Sequence, residues 1–148
     1  MPTSRSSGRS AVGMFLIDSS AWIELLRNTG SRTHLELLRL TREHPSELAI
    51  TEPVILELLA GPTNHVKLAK VEKLVAGLRL LPVDAEIDYR AGAAAARAAR
   101  QVGKPVRSNL DCLIAAVAVR TGASLVHQDR DFTLLAEVLP DLRLHSGR

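Results

Sequence analysis

Residues 14–26 read MFLIDSSAWIELL, and the character of the chain changes at Asp18. The apolar run before this acid shows no polar alternation, which is typical of a strand that is covered on both faces in a parallel sheet. Ser19 or Ser20 can cap the amphipathic helix that follows. Because a serine alone would serve as that cap, an acid directly after a buried strand requires another explanation.

The same alternation of strand and helix recurs along the rest of the chain. Hydrophobic patterning and turn signals predict strands at residues 48–50, 78–84, 123–129 and 142–145. They predict helices at residues 31–44, 52–60, 66–77, 85–103, 109–122 and 131–140, with N-caps at Thr51, Asp84 and Ser108. This order predicts an α/β sandwich with a mainly parallel sheet.

Helical periodicity also predicts which faces are buried. In the helix at 31–44, Leu35, Leu38 and Arg42 fall near one face. The predicted apolar side of the helix at 66–77 carries Leu68, Val71, Leu74 and Val75. The alanine-rich helix at 85–103 has small side chains, which permit another backbone to approach closely.

Size and composition fit one domain. The chain has 148 residues, of which 46% are hydrophobic and only 3% aromatic, so Leu, Val, Ile and Ala must form most of the core. Residues 1–13 are rich in Ser, Arg and Gly and lack the continuous apolar stretch of a secretory signal. We predict a flexible tail at residues 1–13 and a single domain at residues 14–148.

Charge and cysteine content indicate the cellular setting. The formal charge of +3 and the pI near 9.5 are compatible with a nucleic-acid partner. Cys112 is the only cysteine, which excludes a disulfide within the chain and favours the reducing cytoplasm. No apolar run approaches the roughly 20 residues that span a bilayer, so we expect no membrane association.

Four acids occupy positions where local sequence favours an apolar residue or where a strand passes into a helix: Asp18, Glu57, Asp111 and Asp129. In an open parallel sheet, ligands bind beyond the carboxyl ends of the strands, where Asp18 and Asp129 would lie. Converging carboxylates raise one another's pKa, and a divalent cation relieves that repulsion. Oxygen ligands without thiolate or imidazole suit Mg²⁺ or Mn²⁺, and two such ions can promote in-line displacement at a phosphodiester.

Purely structural interpretations of these acids also exist. Ser108 and Asp111 form an S-x-x-D arrangement, which can be a helix capping box and nothing more. Asp131 precedes an apolar run and is predicted to be an ordinary N-cap. Glu57 could face solvent, although its apolar neighbours argue against that.

Four stretches in this order make the chain similar to PIN-domain ribonucleases, specifically VapC-type toxins of bacterial toxin–antitoxin pairs: LIDSSAWIE, EPVILELLAG, SNLDCLIAAVAVRTGASLV and HQDRDF. The resemblance implies a three-layer α/β/α sandwich and a metal-dependent endoribonuclease of RNA, with tRNA or rRNA as substrate classes. It also implies a homodimer and a small cognate VapB-type antitoxin.

The resemblance further implies roles for individual residues. Asp18, Glu57 and Asp111 match the family's first three metal-binding acids. Asp129 and Asp131 both fall in its terminal acidic stretch, and we favour Asp129 as the fourth because it ends the predicted strand. Ser19 matches a hydroxyl residue that orients the first acid or a water, and the groups expected to support the acids from behind are Ser19, Ser108 and Asn109.

Basic residues follow one stripe of the alanine-rich helix and its end, namely Arg97, Arg100, Lys104 and Arg107. They could guide an RNA backbone past the acids, or they could form an ordinary solvated face. The leading hypothesis is a two-metal endoribonuclease. The alternatives are a non-catalytic PIN module that binds RNA or an antitoxin, and a phosphatase, against which Ser20 stands where a second acid would be needed.

Overall fold

The computed structural model describes residues 10–145. Its strands are β1 (Phe15–Ile17), β2 (Leu48–Ile50), β3 (Arg79–Leu80), β4 (Ser124–Val126) and β5 (Arg143–Leu144). They form one five-stranded sheet in the order β3-β2-β1-β4-β5, and every neighbouring pair is parallel. The predicted parallel sheet is confirmed.

Seven α-helices connect the strands within the described residues: α1 (Ser19–Leu26), α2 (Arg32–Glu43), α3 (Glu52–Ala60), α4 (His65–Ala76), α5 (Asp88–Gln101), α6 (Asn109–Thr121) and α7 (Arg130–Val138). Successive side chains of a strand point to opposite faces of the sheet. Because Leu16 and Ile17 of β1 are both fully buried, helices cover both faces, as the predicted three-layer sandwich requires. No helix within residues 10–145 has both the length and the apolar character needed to cross a membrane.

The order of the strands positions a site at one edge of the sheet. From the central strand β1 the chain builds β2 and β3 on one side, and it then returns to build β4 and β5 on the other. Parallel sheets of this kind bind ligands at the point where the strand order reverses, beyond the carboxyl ends of the strands. That point lies between β1 and β4, where the Asp18 N–H donates to the Val126 carbonyl at 2.9 Å.

The predicted face of α2 is wrong. Leu37 and Leu40 are fully buried, whereas Leu35 is 58% exposed and Leu38 is 44% exposed. The helix carries leucines on two stripes with the same spacing, so periodicity alone does not select between them. In α4, Val71 is buried, Leu74 and Val75 are partly buried, and Leu68 is 37% exposed.

The start of α5 also differs from the prediction. Asp84 does not cap the helix; its carboxylate accepts the N–H groups of Glu86 and Ile87 in a turn before α5 begins at Asp88. The predicted close packing is confirmed at Gly92, where an added Cβ would lie 3.3 Å from the backbone of Cys112 in α6.

Most of the predicted tail, residues 1–9, lies outside the described residues. Within its last part, Ala11 is buried and its N–H donates to the Thr121 carbonyl at 2.6 Å. The chain therefore contacts the end of α6 before it enters β1. A domain boundary at residue 14 stays a prediction.

Candidate metal centre

Asp18 is the N-cap of α1, a role that the sequence suggested for Ser19 or Ser20. Its Oδ2 accepts the Ser20 N–H at 3.0 Å and the Ser20 hydroxyl at 2.6 Å. Its Oδ1 is buried and has no hydrogen-bond partner among the described residues. Burial raises the pKa of this carboxyl above its ordinary value.

The two serines after Asp18 have separate tasks. Ser20 Oγ also accepts the Gln128 N–H at 2.9 Å, so this hydroxyl joins Asp18 to the loop after β4. Ser19 was expected to orient Asp18 or a water, and its hydroxyl donates to Glu57 Oε1 at 2.8 Å rather than to Asp18. The sequence did not show that Ser20 is the residue that supports Asp18, because Ser19 and Ser20 both follow this acid and both carry a hydroxyl.

Glu57 projects from α3 towards these groups. It is half-buried, so it does not lie on the solvent face of its helix. Burial raises the pKa of its carboxyl, and the charges of Asp18 and Asp129 raise it further. Because Glu57 has apolar neighbours, its carboxylate needs a hydrogen-bond partner, and the hydroxyl of Ser19 provides one.

Asp111 lies in the first turn of α6 and combines two roles. Its N–H donates to the Ser108 side chain at 3.3 Å, as expected for the predicted helix cap. Burial, followed by the charges of Asp18 and Asp129, raises the pKa of its carboxyl to about 8. The cap therefore fixes the backbone of Asp111 while its carboxyl faces other acids.

Asp129 is the N-cap of α7, a role that the sequence assigned to Asp131. The strand β4 ends earlier than predicted, so Asp129 Oδ1 accepts the Asp131 N–H at 2.9 Å. Asp131 is buried, and its Oδ2 accepts the Arg107 N–H at 3.0 Å. One carboxylate oxygen from each of Asp111, Asp129 and Asp131 lies within 4.8 Å of the others.

The acid cluster comprises Asp18, Glu57, Asp111, Asp129 and Asp131. Within residues 10–145, only Arg107 brings a cation to it, at 3.9 Å from Asp129 and 3.8 Å from Asp131, and that side chain is 78% exposed. Oxygen donors, buried carboxyls of raised pKa and the unpartnered Oδ1 of Asp18 fit a hard divalent cation such as Mg²⁺ or Mn²⁺.

The remaining predicted residues lie at several places. Ser108 is the N-cap of α6, and Asn109 is exposed beside it. Asn109, Arg97 and Arg100 line a groove between α5 and α6. Lys104 forms an ion pair with Glu137 of α7. Of the four predicted basic residues, Arg107 alone reaches the acid cluster.

Comparison with known proteins identifies relatives of the chain. Residues 15–138 match the PIN domain family. VapC ribonuclease Mb1587 from Mycobacterium bovis and ribonuclease VapC11 from Mycobacterium tuberculosis are each 47% identical over 125 residues, which is 84% of this chain and 93% of theirs. DNA-bound VapBC from Salmonella typhimurium has the same fold, with a TM-score of 0.72 and 22% identity over 89% of this chain and 96% of that one.

Proposed function

The chain belongs to the PIN-domain family and, within it, to the VapC ribonucleases, and on that premise we propose that the acid cluster cleaves RNA phosphodiesters with the help of divalent metal ions. The chain then acts as the toxin of a toxin–antitoxin pair in the cytoplasm. The observation that carries the proposal is the convergence of five acids, from four separate parts of the chain, at the carboxyl ends of β1 and β4.

Metal binding follows from the donor set. Asp18, Asp111, Asp129 and Asp131 would hold Mg²⁺ or Mn²⁺, with Glu57 held ready by Ser19. When bound, such ions supply Lewis-acid activation of water and neutralise charge on the reacting phosphate. Asp129 and Asp131 both reach the cluster, so we propose that both contribute.

The chain's own residues prepare this site before any ion arrives. Ser20 holds Asp18 Oδ2, which leaves the unpartnered Oδ1 for a cation. The backbone N–H of Arg107 holds the Asp131 carboxylate in place. The exposed guanidinium of Arg107 is free to move from the acids to an RNA phosphate. Arg97 and Arg100 would extend the RNA contact along α5, while Lys104 is already paired.

Two further partners are part of the proposal. The structural likeness to a VapBC complex supports a VapB-type antitoxin as the cognate partner. A homodimer is the second partner that we propose. The acid cluster offers an arginine of such an antitoxin the same neutralisation that a metal provides. The substrate would be a structured RNA such as tRNA or rRNA.

Replacing Asp18 or Asp111 with Asn tests the proposal. Asn keeps the N-cap acceptor of Asp18 and the shape of either side chain but removes one negative charge. We expect metal-dependent RNA cleavage to fall by at least about 100-fold, because ion binding and phosphate neutralisation both depend on that charge. Cleavage is followed on labelled total tRNA and rRNA, with Mg²⁺ and with a chelator.

Asp141→Asn is the matched control, since Asp141 is an exposed acid just before β5, at the opposite end of the parallel sheet from the cluster. It should cleave as the wild type does. Wild-type protein that binds RNA but cleaves none in Mg²⁺ or Mn²⁺ would instead support a non-catalytic module. Cleavage at the wild-type rate by Asp111→Asn would overturn the assignment of the site.

A further inference from the structure

A groove opens beside the acid cluster at Glu57. Its volume is about 430 Å³, and its walls come from α1, α3 and α4. The apolar residues that line it are Ile23, Leu26, Leu58 and Val71. Because Glu57 lines the groove as well, the groove and the acid cluster share a side chain.

Three cations surround this groove. Arg27 follows α1, and Lys67 and Lys70 lie in α4; all three are exposed. Residues three apart on a helix share a face, with Cβ atoms about 5–6 Å apart, so Lys67 and Lys70 present neighbouring charges. Neither lysine forms an ion pair with an acid of residues 10–145, which leaves both charges available.

Among the described residues, Glu57 is the only acid that lines the groove, and it belongs to the acid cluster. The groove is therefore positive where it is distant from the cluster and negative only at the cluster itself. A further cation, Arg107, lies outside the groove, beside Asp129 and Asp131 of the cluster. A polyanion that is cut at the cluster would thus meet cations at two places along its path.

We propose that this groove binds the RNA strand next to the cleaved bond, with phosphates on Arg27, Lys67 and Lys70 and a base against the apolar lining. The inference rests on the proposed function, since it takes the acid cluster as the cutting site. Charge complementarity and continuity with Glu57 favour RNA over a peptide, because an apolar peptide would leave the three cations unpaired.

The test compares two variants that each lose two positive charges. Lys67→Ala/Lys70→Ala removes cations from the groove. Arg79→Ala/Arg143→Ala is the control, because these exposed residues begin β3 and β5, at the opposite end of the sheet from the acid cluster. Both pairs are built in the Asp18→Asn background, so that RNA stays intact during the measurement.

Binding is measured by fluorescence anisotropy with a labelled single-stranded oligouridine from about 50 to about 200 mM salt. Each lost phosphate contact lowers the salt slope for a single strand by about 0.7, so the groove variant should lose about 1.4. At about 0.1 M salt its affinity should fall roughly 10- to 30-fold. The control should bind as the parent does.

Equal binding and equal salt slopes for the groove variant and the control would overturn the inference, and the groove would then be assigned to the peptide chain of a partner. In the active background, Lys67→Ala/Lys70→Ala should raise the KM for the same RNA more than it lowers kcat. Absence of cleavage by the wild type would overturn the proposed function. Cleavage by the wild type with equal KM values would overturn this inference alone.

Discussion

Two regions of this protein contain buried carboxylates whose surroundings differ. Between α5 and α6, fully buried Asp88 accepts hydrogen bonds from Arg120 Nε and Nη2 at 2.8–3.1 Å. At the carboxyl ends of β1 and β4, Asp18 and Asp111 are almost as deeply buried, yet no arginine or lysine of residues 10–145 forms an ion pair with either. The first region neutralises its charge within the chain, whereas Asp18 and Asp111 of the second depend on a ligand for that.

This difference separates an acid that holds the fold together from an acid that serves a reaction. A buried charge that has a partner stabilises the fold relative to the same charge alone, so removing one partner costs stability. A buried acid surrounded by other acids destabilises the protein until a cation binds. Burial alone therefore does not identify a functional acid, but burial together with like-charged neighbours does.

Removing one acid from each region should change stability in opposite directions. Asp88→Ala leaves the Arg120 guanidinium buried beside an empty space, and we expect the free energy of unfolding to fall by about 3–5 kcal/mol. Asp111→Asn relieves repulsion, so in the presence of a chelator its free energy of unfolding should equal or exceed that of the wild type. Urea denaturation followed by circular dichroism measures both.

The double variant Asp88→Leu/Arg120→Met is the control for the ion pair. It should recover most of the stability that Asp88→Ala loses, because it removes the unpaired charge together with its partner. If Asp88→Ala lowered the free energy of unfolding by less than about 1 kcal/mol, the buried ion pair would not stabilise the fold, and the two regions would not differ in that respect.

The acid cluster should also make stability depend on pH. The folded-state pKa of Asp111, about 8, lies above its ordinary value of 3.8, so the folded protein binds this proton more tightly than the unfolded chain does. With a chelator present, the contribution of Asp111 to stability should therefore be greatest below pH 3.8, and it should be lost as the pH rises through about 8. The shift from 3.8 to about 8 corresponds to a decrease of at most about 6 kcal/mol, and screening by solvent at the open cluster lowers the expected decrease to about 2–3 kcal/mol.

Millimolar Mg²⁺ should remove most of that decrease, since the ion replaces the proton as the neutralising charge. Melting temperatures measured with chelator and with Mg²⁺ across this pH range test the idea. Parallel pH profiles in the two conditions would mean that the carboxyls do not share an ion.

The three central strands could be predicted from sequence because β1, β2 and β4 are short, mostly apolar runs between turn signals. Which face of α2 is buried could not, since Leu35 and Leu38 form as good a stripe as Leu37 and Leu40. The selection between them comes from packing against α1, which is a tertiary effect. The start of α5 was missed for a similar reason, because Asp88 points inward to meet Arg120, thirty-two residues later in the chain.

The candidate site was predictable to the level of its acids. Asp18, Glu57 and Asp111 stood out because each interrupts an apolar context, and the structure brings them together with Asp129. The exchange of roles between Ser19 and Ser20 was not predictable. It depends on hydrogen bonds to Glu57 of α3 and to the loop at Gln128, and both partners are distant from the two serines in the sequence.

Glu36, a buried acid outside both regions, also has partners within the chain, and its replacement should have the smallest effect. Arg39 and then His145 hold the pKa of its carboxyl at about 2, with the His145 ring 2.6 Å away. Because the folded-state pKa lies below the ordinary value of 4.5, this stabilisation is complete above pH 4.5 and is lost as the pH falls towards 2.

Glu36→Gln should therefore lower the free energy of unfolding at neutral pH by about 1–2 kcal/mol and flatten the acid limb of its pH profile. Glu72→Gln, at an exposed site on α4, should change neither. The contributions of Glu36 and Asp111 to stability therefore change with pH in opposite directions. The stabilisation from Glu36 is lost in acid, and that from Asp111 is lost in base. If Glu36→Gln followed the wild-type profile down to pH 2, the ion pair would contribute nothing, and pairing within the chain would not be what distinguishes the two regions.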